Sequence, residues 1–220
     1  MVLNDKSSVK LAVFDLDGTL VDSKYDLTDA VNFARQKYGF APLKVEEVAS
    51  YLGSGITALV KSVLPKLEEK ELENAVKIFK DFYCEHLLDK TKPYDKVSQM
   101  LSGLKTRKVV LSNKTELFSK KIIENLGLKK YFEEVYGGDS FKEKKPSPVP
   151  IFEIMRRFSL NKENIVMVGD GANDIGVGKN AGIRTVGVLY GYSSKQQMEN
   201  LAPDYTAQTP ENVTEILRSL

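Results

Sequence analysis

Two aspartates separated by one residue follow the first apolar run of the chain. The run Val9–Phe14 is followed by Asp15–Thr19, which reads Asp-Leu-Asp-Gly-Thr. A carboxylate placed directly after a buried strand can attack phosphorus and form a covalent aspartyl-phosphate, so Asp15 is a candidate nucleophile. Asp17 can then protonate the leaving oxygen and later deprotonate water. Taken alone, the segment also fits an acidic turn, because Asp and Gly are common turn residues.

Two more acids, Asp170 and Asp174, lie after the apolar run Ile165–Val168. Glycines flank Asp170, and this arrangement suits a hard cation that prefers oxygen ligands. Magnesium takes octahedral oxygen ligands at roughly 2.0–2.1 Å and keeps several waters, which makes it the expected metal. An acidic helix start stabilised by the helix dipole is the alternative, above all for Asp174.

Candidate phosphate-binding groups occur in two further segments. Ser112 and Asn113 follow the run Lys108–Leu111 and offer a hydroxyl and backbone N–H groups at a helix start, where phosphoryl oxygens can bind. Lys145 offers the cation that phosphoryl transfer needs near the nucleophile. Taken singly, Ser112 and Asn113 also fit an ordinary helix cap, and Lys145 fits a solvated side chain.

A glycine-rich turn, Gly53-Ser54-Gly55, opens a helical stripe that begins at Ile56. Backbone N–H groups at a helix N-terminus suit a small anion, so the turn is a candidate binding loop. The spacing of these residues fits an interhelical turn without a ligand equally well.

The elements around these residues predict a doubly wound α/β fold. Short apolar runs at 9–14, 108–111, 165–168 and 184–188 are typical of parallel strands buried on both faces. Helical patterns separate the runs, and the candidate residues of the sheet follow the strand ends, where open parallel sheets bind ligands.

The segment 24–91 has a different pattern, because three apolar helical stripes occur there with no strand between them. We therefore predict an α/β core formed by residues 1–23 and 92–220. Residues 24–91 are predicted to form a small inserted all-helical cap.

The composition is typical of a globular protein and excludes several function classes. The 220 residues suit one α/β domain with a smaller insertion. Lys and Arg total 32 against 30 Asp and Glu, a net charge of +2 that gives no reason to expect nucleic-acid binding. One cysteine favours a reducing compartment, and no run approaches the roughly 18 apolar residues of a membrane span. With no apolar signal-peptide stretch at its start, the chain is expected to be cytoplasmic, without membrane partners, and monomeric or homodimeric.

Taken in their order along the chain, the four groups at the strand ends resemble the four motifs of the haloacid dehalogenase superfamily. The resemblance spans nearly the whole chain. It implies a Rossmann-like core with Asp15 as nucleophile and Asp17 as general acid and base. The residues implied to bind the phosphate-bearing substrate are Thr19, Ser112, Asn113 and Lys145.

The resemblance also implies a Mg²⁺ cofactor. Asp15, the main-chain carbonyl of Asp17 and Asp170 are the implied ligands. Asp174 is expected to order a metal-bound water or Lys145 instead of binding the metal itself. The neighbouring lysines, Lys142 and Lys144, are expected to stay in solvent.

Within the superfamily, the chain most resembles the phosphoglycolate phosphatases. These enzymes carry a glycine-rich specificity loop at the position of Gly53, Ser54 and Gly55, and Leu20–Leu27 is similar to their linker into the cap. The resemblance implies hydrolysis of a small phosphorylated metabolite, 2-phosphoglycolate, to glycolate and phosphate, with the loop amides receiving the carboxylate. The alternatives are a pyrophosphatase, a sugar phosphatase, a phosphosugar mutase, a phosphonatase and a non-catalytic regulatory member. A non-catalytic regulatory member typically lacks the nucleophile, the metal-binding acid or the phosphate-binding lysine, whereas this chain retains all three.

Overall fold

A six-stranded parallel sheet forms the centre of the computed structural model, which describes residues 8–220. Its strands are β1 (Leu11–Phe14), β4 (Arg107–Leu111), β5 (Glu134–Tyr136), β6 (Ile165–Gly169), β7 (Arg184–Val188) and β8 (Tyr205–Ala207). Two short strands, β2 (Val21–Asp22) and β3 (Lys92–Pro93), pair with each other. The order across the large sheet is β5-β4-β1-β6-β7-β8, with every neighbouring pair parallel. The predicted α/β fold with a parallel sheet is confirmed.

Helices flank the sheet and fill the insertion. They are α1 (Lys24–Lys37), α2 (Val45–Ala49), α3 (Ile56–Val63), α4 (Glu69–His86), α5 (Val97–Gly103), α6 (Glu116–Asn125), α7 (Val149–Phe158), α8 (Ala172–Ala181), α9 (Lys195–Leu201) and α10 (Pro210–Ser219). None of the helices within residues 8–220 combines the length and the apolar character needed to cross a bilayer.

Alternate residues of β1 pack on opposite faces of the sheet. Ala12 and Phe14 belong to one buried apolar cluster, and Leu11 and Val13 belong to another. Because side chains alternate along a strand, this division means that both faces are covered. The strand is therefore a rigid support for Asp15, which follows it directly.

Four of the six sheet strands coincide with predicted apolar runs. The other two, β5 and β8, escape prediction because each has three residues and an incomplete apolar pattern. Glu134 is exposed in β5, and Tyr205 and Thr206 are exposed in β8. Both strands lie at the edges of the sheet, where one side of a strand is left open to solvent.

The helices α1–α4 lie between β2 and β3. The three predicted helical stripes correspond to α1, α3 and α4, whereas the five-residue α2 was not predicted. Val21 lies opposite Pro93 and Asp22 opposite Lys92, so the chain enters and leaves the insertion at neighbouring points. The division into a core and a cap at residues 24–91 stays a prediction.

Asp26 links the two segments through which the chain enters and leaves the insertion. Its carboxylate is 1% exposed and accepts hydrogen bonds from the backbone N–H groups of Lys90 and Thr91, at 2.9 and 2.8 Å, and from the Thr91 hydroxyl at 2.7 Å. Asp26→Ala removes the acceptor and leaves these donors behind, so we expect the free energy of unfolding to fall by roughly 2–4 kcal/mol. Urea denaturation measures this loss. The control Asp29→Ala removes a half-exposed carboxylate and should change stability by about 0.5 kcal/mol at most. Equal effects of the two substitutions would contradict the structural role of Asp26.

Candidate active site

Three neighbouring strands bring predicted site residues to one edge of the sheet. The strands β4, β1 and β6 lie side by side and run parallel, so their carboxyl ends meet. Ser112 follows β4, Asp15 follows β1 and Asp170 follows β6, and all three side chains are buried. The site is therefore assembled from segments distant in sequence, as the strand-end argument predicts.

Lys145 connects two of the acids. Its Nζ lies 2.7 Å from Asp15 Oδ1 and 2.6 Å from Asp174 Oδ1, and its side chain is 2% exposed. Burial lowers the pKa of Lys145, but Asp15 and Asp174 more than offset this and raise it to about 12. Asp174 also accepts a hydrogen bond from the Gly171 backbone N–H at 3.0 Å. The structure thus fixes a charged lysine directly beside the candidate nucleophile.

Asp15, Asp170 and Asp174 form a buried acidic cluster. One carboxylate oxygen of each lies within 4.8 Å of the others. Burial and then repulsion from Asp174 raise the pKa of Asp15 to about 7, and burial together with Asp174 and Asp15 raises the pKa of Asp170 as well. Because the cluster holds more negative charge than Lys145 neutralises, and its ligand atoms are oxygens, a hard divalent cation such as Mg²⁺ fits it.

Two glycines enclose Asp170. A Cβ on Gly18 would lie 2.1 Å from Asp170 Oδ2, and a Cβ on Gly191 would lie 2.3 Å from Asp170 Cβ. Gly18 also has φ = +85°, a backbone conformation that favours glycine. Next to Gly191, the Tyr192 backbone N–H donates to Asp170 Oδ2 at 2.7 Å. The position of Asp170 therefore depends on two residues without side chains and on one backbone hydrogen bond.

Gly191→Ala should displace Asp170 and weaken the acidic cluster as a cation site. We expect a loss of about 10–100-fold in Mg²⁺ affinity or in kcat, the usual effect of disturbing the groups that orient a metal ligand. Activity measured against Mg²⁺ concentration checks this. The control is Gly103→Ala, where the added Cβ meets the flexible end of Arg218 at 3.4 Å. An unchanged Mg²⁺ dependence in Gly191→Ala would show that the close approach to Asp170 is unimportant.

A second buried lysine, Lys114, pairs with Asp17. Its Nζ lies 2.9 Å from Asp17 Oδ2 and 3.0 Å from the hydroxyl of Tyr83 on α4. The Ser23 hydroxyl donates to the other carboxylate oxygen of Asp17. Lys114 had no predicted role, because a lysine just ahead of a helix normally points into solvent. Its burial depends on two partners that are distant in the sequence.

Thr19 and Ser112 take different positions relative to the acids. Thr19 is fully buried, and its hydroxyl lies 3.5 Å from Asp170 Oδ1, where it can orient that carboxylate. Ser112 instead lines a cavity together with Asp15 and Asp17. Of the two predicted phosphate-binding hydroxyls, the one on Ser112 therefore has the more direct access to a ligand.

The loop Gly53–Gly55 is joined to the core through its carbonyl groups. Asn113 Nδ2 donates to the carbonyls of Gly53 and Lys145, both at 2.9 Å, and Asn173 Nδ2 donates to the Gly53 carbonyl at 3.1 Å. Lys144 is exposed, as predicted, but its Nζ donates to the Ser54 carbonyl at 2.7 Å. A Cβ on Gly55 would lie 2.9 Å from the Asn113 carbonyl oxygen. Asn113 thus links the loop to the segment that carries Lys145.

A small cavity lies between the acidic residues and the inserted helices. Its lining residues are Asp15, Asp17, Ser112, Asn113 and Lys114 from the core and Leu27, Leu52, Gly53, Gly55, Ile56 and Leu59 from the insertion. Its volume is about 40 Å³, and Asp15, Asp17 and Gly53 also line a larger pocket of about 310 Å³ on the side of Asp170. The cavity presents polar groups at its core end and apolar groups at the insertion.

Comparisons with known proteins agree with this arrangement. Residues 12–188 match the family described as haloacid dehalogenase-like hydrolase. The chain is 35% identical over 212 residues to a phosphoglycolate phosphatase of Aquifex aeolicus, covering 95% of this chain and 97% of that protein. It is 38% identical over 192 residues to one of Neisseria meningitidis, covering 84% and 82%.

The fold also matches solved structures. A crystal structure of a predicted phosphoglycolate phosphatase from Haemophilus somnus superposes with a TM-score of 0.90 at 30% identity, covering 94% of this chain and 97% of that one. A predicted phosphatase from Clostridium acetobutylicum gives a TM-score of 0.86 at 26% identity, covering 97% and 100%. With the family match over most of its length and its acidic cluster at the strand ends, the chain belongs to the haloacid dehalogenase-like hydrolases.

Proposed function

We propose that the protein is a magnesium-dependent phosphatase that hydrolyses small phosphate monoesters through an aspartyl-phosphate on Asp15. One observation carries this proposal: buried Asp15 lies 2.7 Å from Lys145 and within the acidic cluster of Asp170 and Asp174. A carboxylate nucleophile, a fixed cation and an acidic metal site in one place are what phosphoryl transfer to an aspartate requires.

Each side chain then has a defined task. Lys145 binds phosphate oxygens and reduces their repulsion from Asp15. Asp15 attacks phosphorus while Asp17 gives its proton to the leaving oxygen. Asp17 next removes a proton from the water that attacks the aspartyl-phosphate, which releases phosphate and restores Asp15. Dividing the reaction into two steps matters because uncatalysed hydrolysis of phosphate monoesters is so slow that enzymes supply up to ~10²¹-fold acceleration.

Mg²⁺ is the cation that we propose for the acidic cluster. Asp15, the main-chain carbonyl of Asp17 and Asp170 would hold it, while Asp174 would stay with Lys145. When bound, it supplies positive charge that offsets the repulsion between the phosphate and the nucleophile. Oxygen ligands favour Mg²⁺ over metals that prefer sulfur or nitrogen.

Ser112, Asn113 and Thr19 support phosphate binding in different ways. We assign a direct contact with a phosphoryl oxygen to Ser112, because it lines the cavity beside Asp15. Asn113 contributes by joining the Gly53 carbonyl to the Lys145 segment. Thr19 contributes by orienting Asp170.

Residues 24–91 are proposed to act as a cap that closes over this site. The contacts of the Gly53–Gly55 loop with Asn113, Asn173 and Lys144 support this role, because they are hydrogen bonds between the insertion and the core. A closed cap excludes bulk water from the reacting groups and contributes specificity.

The substrate that we propose is 2-phosphoglycolate, cleaved to glycolate and phosphate. The names of the relatives support it. The backbone N–H groups at the start of α3 would receive the substrate carboxylate, since Gly53, Gly55 and Ile56 line the cavity. A cytoplasmic location is also proposed, because the single cysteine suits a reducing compartment, and the protein is expected to act as a monomer or homodimer.

A panel of phosphate compounds tests these proposals. Phosphate release from 2-phosphoglycolate, pyrophosphate, glucose 6-phosphate and p-nitrophenyl phosphate is measured with Mg²⁺ and with EDTA. We expect the highest kcat/KM for 2-phosphoglycolate and loss of activity on all four in EDTA. A higher kcat/KM for another compound of the panel would overturn the proposal that 2-phosphoglycolate is the substrate. Full activity in EDTA would overturn the proposal that the enzyme needs a metal ion.

A further inference from the structure

The site contains two buried lysines, Lys145 and Lys114, and the hydrolysis described above uses the first of them. Lys145 lies at Asp15, on the side where the phosphate is attacked. Lys114 lines the cavity and lies 2.9 Å from Asp17, the residue to which the proposed mechanism assigns the leaving oxygen. The two lysines therefore pair with different carboxylates, one with the proposed nucleophile and one with the proposed acid and base.

The surroundings of Lys114 keep its charge inside the protein. Its side chain is 4% exposed, and its Nζ also lies 4.9 Å from the centre of the Tyr83 ring. The Asp17 carboxylate at 2.9 Å and the face of the Tyr83 ring are two partners for the charge of this buried ammonium group. An ammonium group has three donors. Within residues 8–220, the hydrogen bonds of this one go to Asp17 and Tyr83, which leaves a donor for a ligand.

The wall of the cavity that the insertion provides is apolar or presents backbone groups. Leu27, Leu52 and Leu59 of the insertion face the same space as Lys114. An anionic group of the substrate in this space would have the ammonium group of Lys114 as an opposite charge, and the N-terminus of α3 lines the same space. Buried surroundings of this kind strengthen an ion pair, because the local dielectric constant is lower than that of water.

We infer that Lys114 is the residue that selects an anionic leaving group, by binding the carboxylate of the substrate. This inference rests on the proposed function, and it adds the charged group that recognises the substrate carboxylate. In 2-phosphoglycolate, one carbon separates the carboxylate from the ester oxygen. A carboxylate bound to Lys114 is thereby held next to the oxygen that Asp17 protonates. Lys145 and Lys114 then match the two anionic ends of one small molecule.

Three esters of equal chain length test the inference without any substitution: 2-phosphoglycolate, 2-hydroxyethyl phosphate and 2-aminoethyl phosphate. They differ in the charge at the end away from the phosphate. The wild-type enzyme with Mg²⁺ should prefer the carboxylate over the hydroxyl in kcat/KM by on the order of 10²-fold, as a charge-assisted contact in a buried site provides. The ammonium ester should be the poorest of the three, since Lys114 repels it.

Lys114→Met then removes the charge and keeps a side chain of similar length. We expect the preference for the carboxylate over the hydroxyl to fall below about tenfold, because the loss on 2-phosphoglycolate exceeds the loss on the neutral ester. The control Lys142→Met removes an exposed lysine of a neighbouring loop and should keep the wild-type preference. Circular dichroism establishes that both variants are folded, and the three wild-type measurements stand even if Lys114→Met does not fold.

The outcomes separate this inference from the proposed function. If the wild type strongly prefers 2-phosphoglycolate and Lys114→Met keeps that ratio, the inference is overturned and the proposed function stands. If the wild type cleaves the carboxylate and hydroxyl esters equally well, Lys114 does not select for a negative charge on the leaving group, and the inference is likewise overturned. A wild type that releases phosphate from p-nitrophenyl phosphate but not from 2-phosphoglycolate overturns the inference and the proposed substrate, while the proposed phosphatase activity stands.

Discussion

Asp15→Asn should abolish turnover while the protein stays folded. The amide cannot act as a nucleophile, so the aspartyl-phosphate does not form and the two-step route is lost. We expect kcat to fall by on the order of 10⁴-fold or more, as happens when the central residue of a covalent mechanism is removed. Steady-state kinetics with 2-phosphoglycolate, or with p-nitrophenyl phosphate, measures the loss.

Stability separates this effect from a folding defect. Asp15 belongs to a cluster of mutually repelling acids, so removing its charge loses one contact of Lys145 but relieves repulsion within the cluster. The free energy of unfolding should therefore change little. Asp95→Asn, at an exposed position, is the matched control and should be fully active. If Asp15→Asn retained more than about a hundredth of the wild-type kcat, Asp15 would not be the nucleophile.

Lys145→Met should impair both turnover and stability. The lysine provides a fixed positive charge at the nucleophile, and we expect kcat to fall by about 10³-fold when it is removed. It also bridges two buried carboxylates, at 2.7 and 2.6 Å, which would be left without their cation. Breaking a buried ion pair from one side typically costs about 3–5 kcal/mol, and we expect that loss in the absence of Mg²⁺.

A double variant distinguishes the two roles of Lys145. Adding Asp174→Asn to Lys145→Met removes one of the stranded carboxylates, so stability should recover while turnover does not. Urea denaturation and steady-state kinetics give the two readouts, with Lys142→Met as the control for loss of a nearby exposed lysine. A Lys145→Met enzyme with unchanged stability and more than about a tenth of the wild-type kcat would contradict the bridging role.

The catalytic end of the site was predictable because it depends on local sequence. Asp15, Ser112 and Asp170 each follow a strand that a short apolar run identifies. In a parallel sheet, the position of a residue relative to the strand end determines which edge it reaches. Neighbouring order within the sheet then brings these residues together without further information from the side chains.

The part of the site around Lys114 was not predictable in the same way. Lys114 is buried because Tyr83 of α4 and Asp17 of the core meet at its ammonium group, and no local pattern encodes that packing. The Gly53–Gly55 loop shows the same limit. Its sequence fits an anion-binding loop and a plain interhelical turn equally well, but the hydrogen bonds from Asn113 and Lys144 to its carbonyls arise from the docking of the insertion on the core.

Trapping the phosphorylated enzyme tests the covalent mechanism most directly. The wild-type protein with Mg²⁺ is mixed with 2-phosphoglycolate carrying a radiolabelled phosphate, quenched in acid within the first turnover, and digested for peptide mapping. We predict label on the peptide that contains Asp15 and no label on Asp15→Asn. Hydroxylamine should release the label from the peptide, because it cleaves acyl phosphates. Label on a different residue, or turnover by a wild-type protein that never carries label, would contradict an aspartyl-phosphate at Asp15.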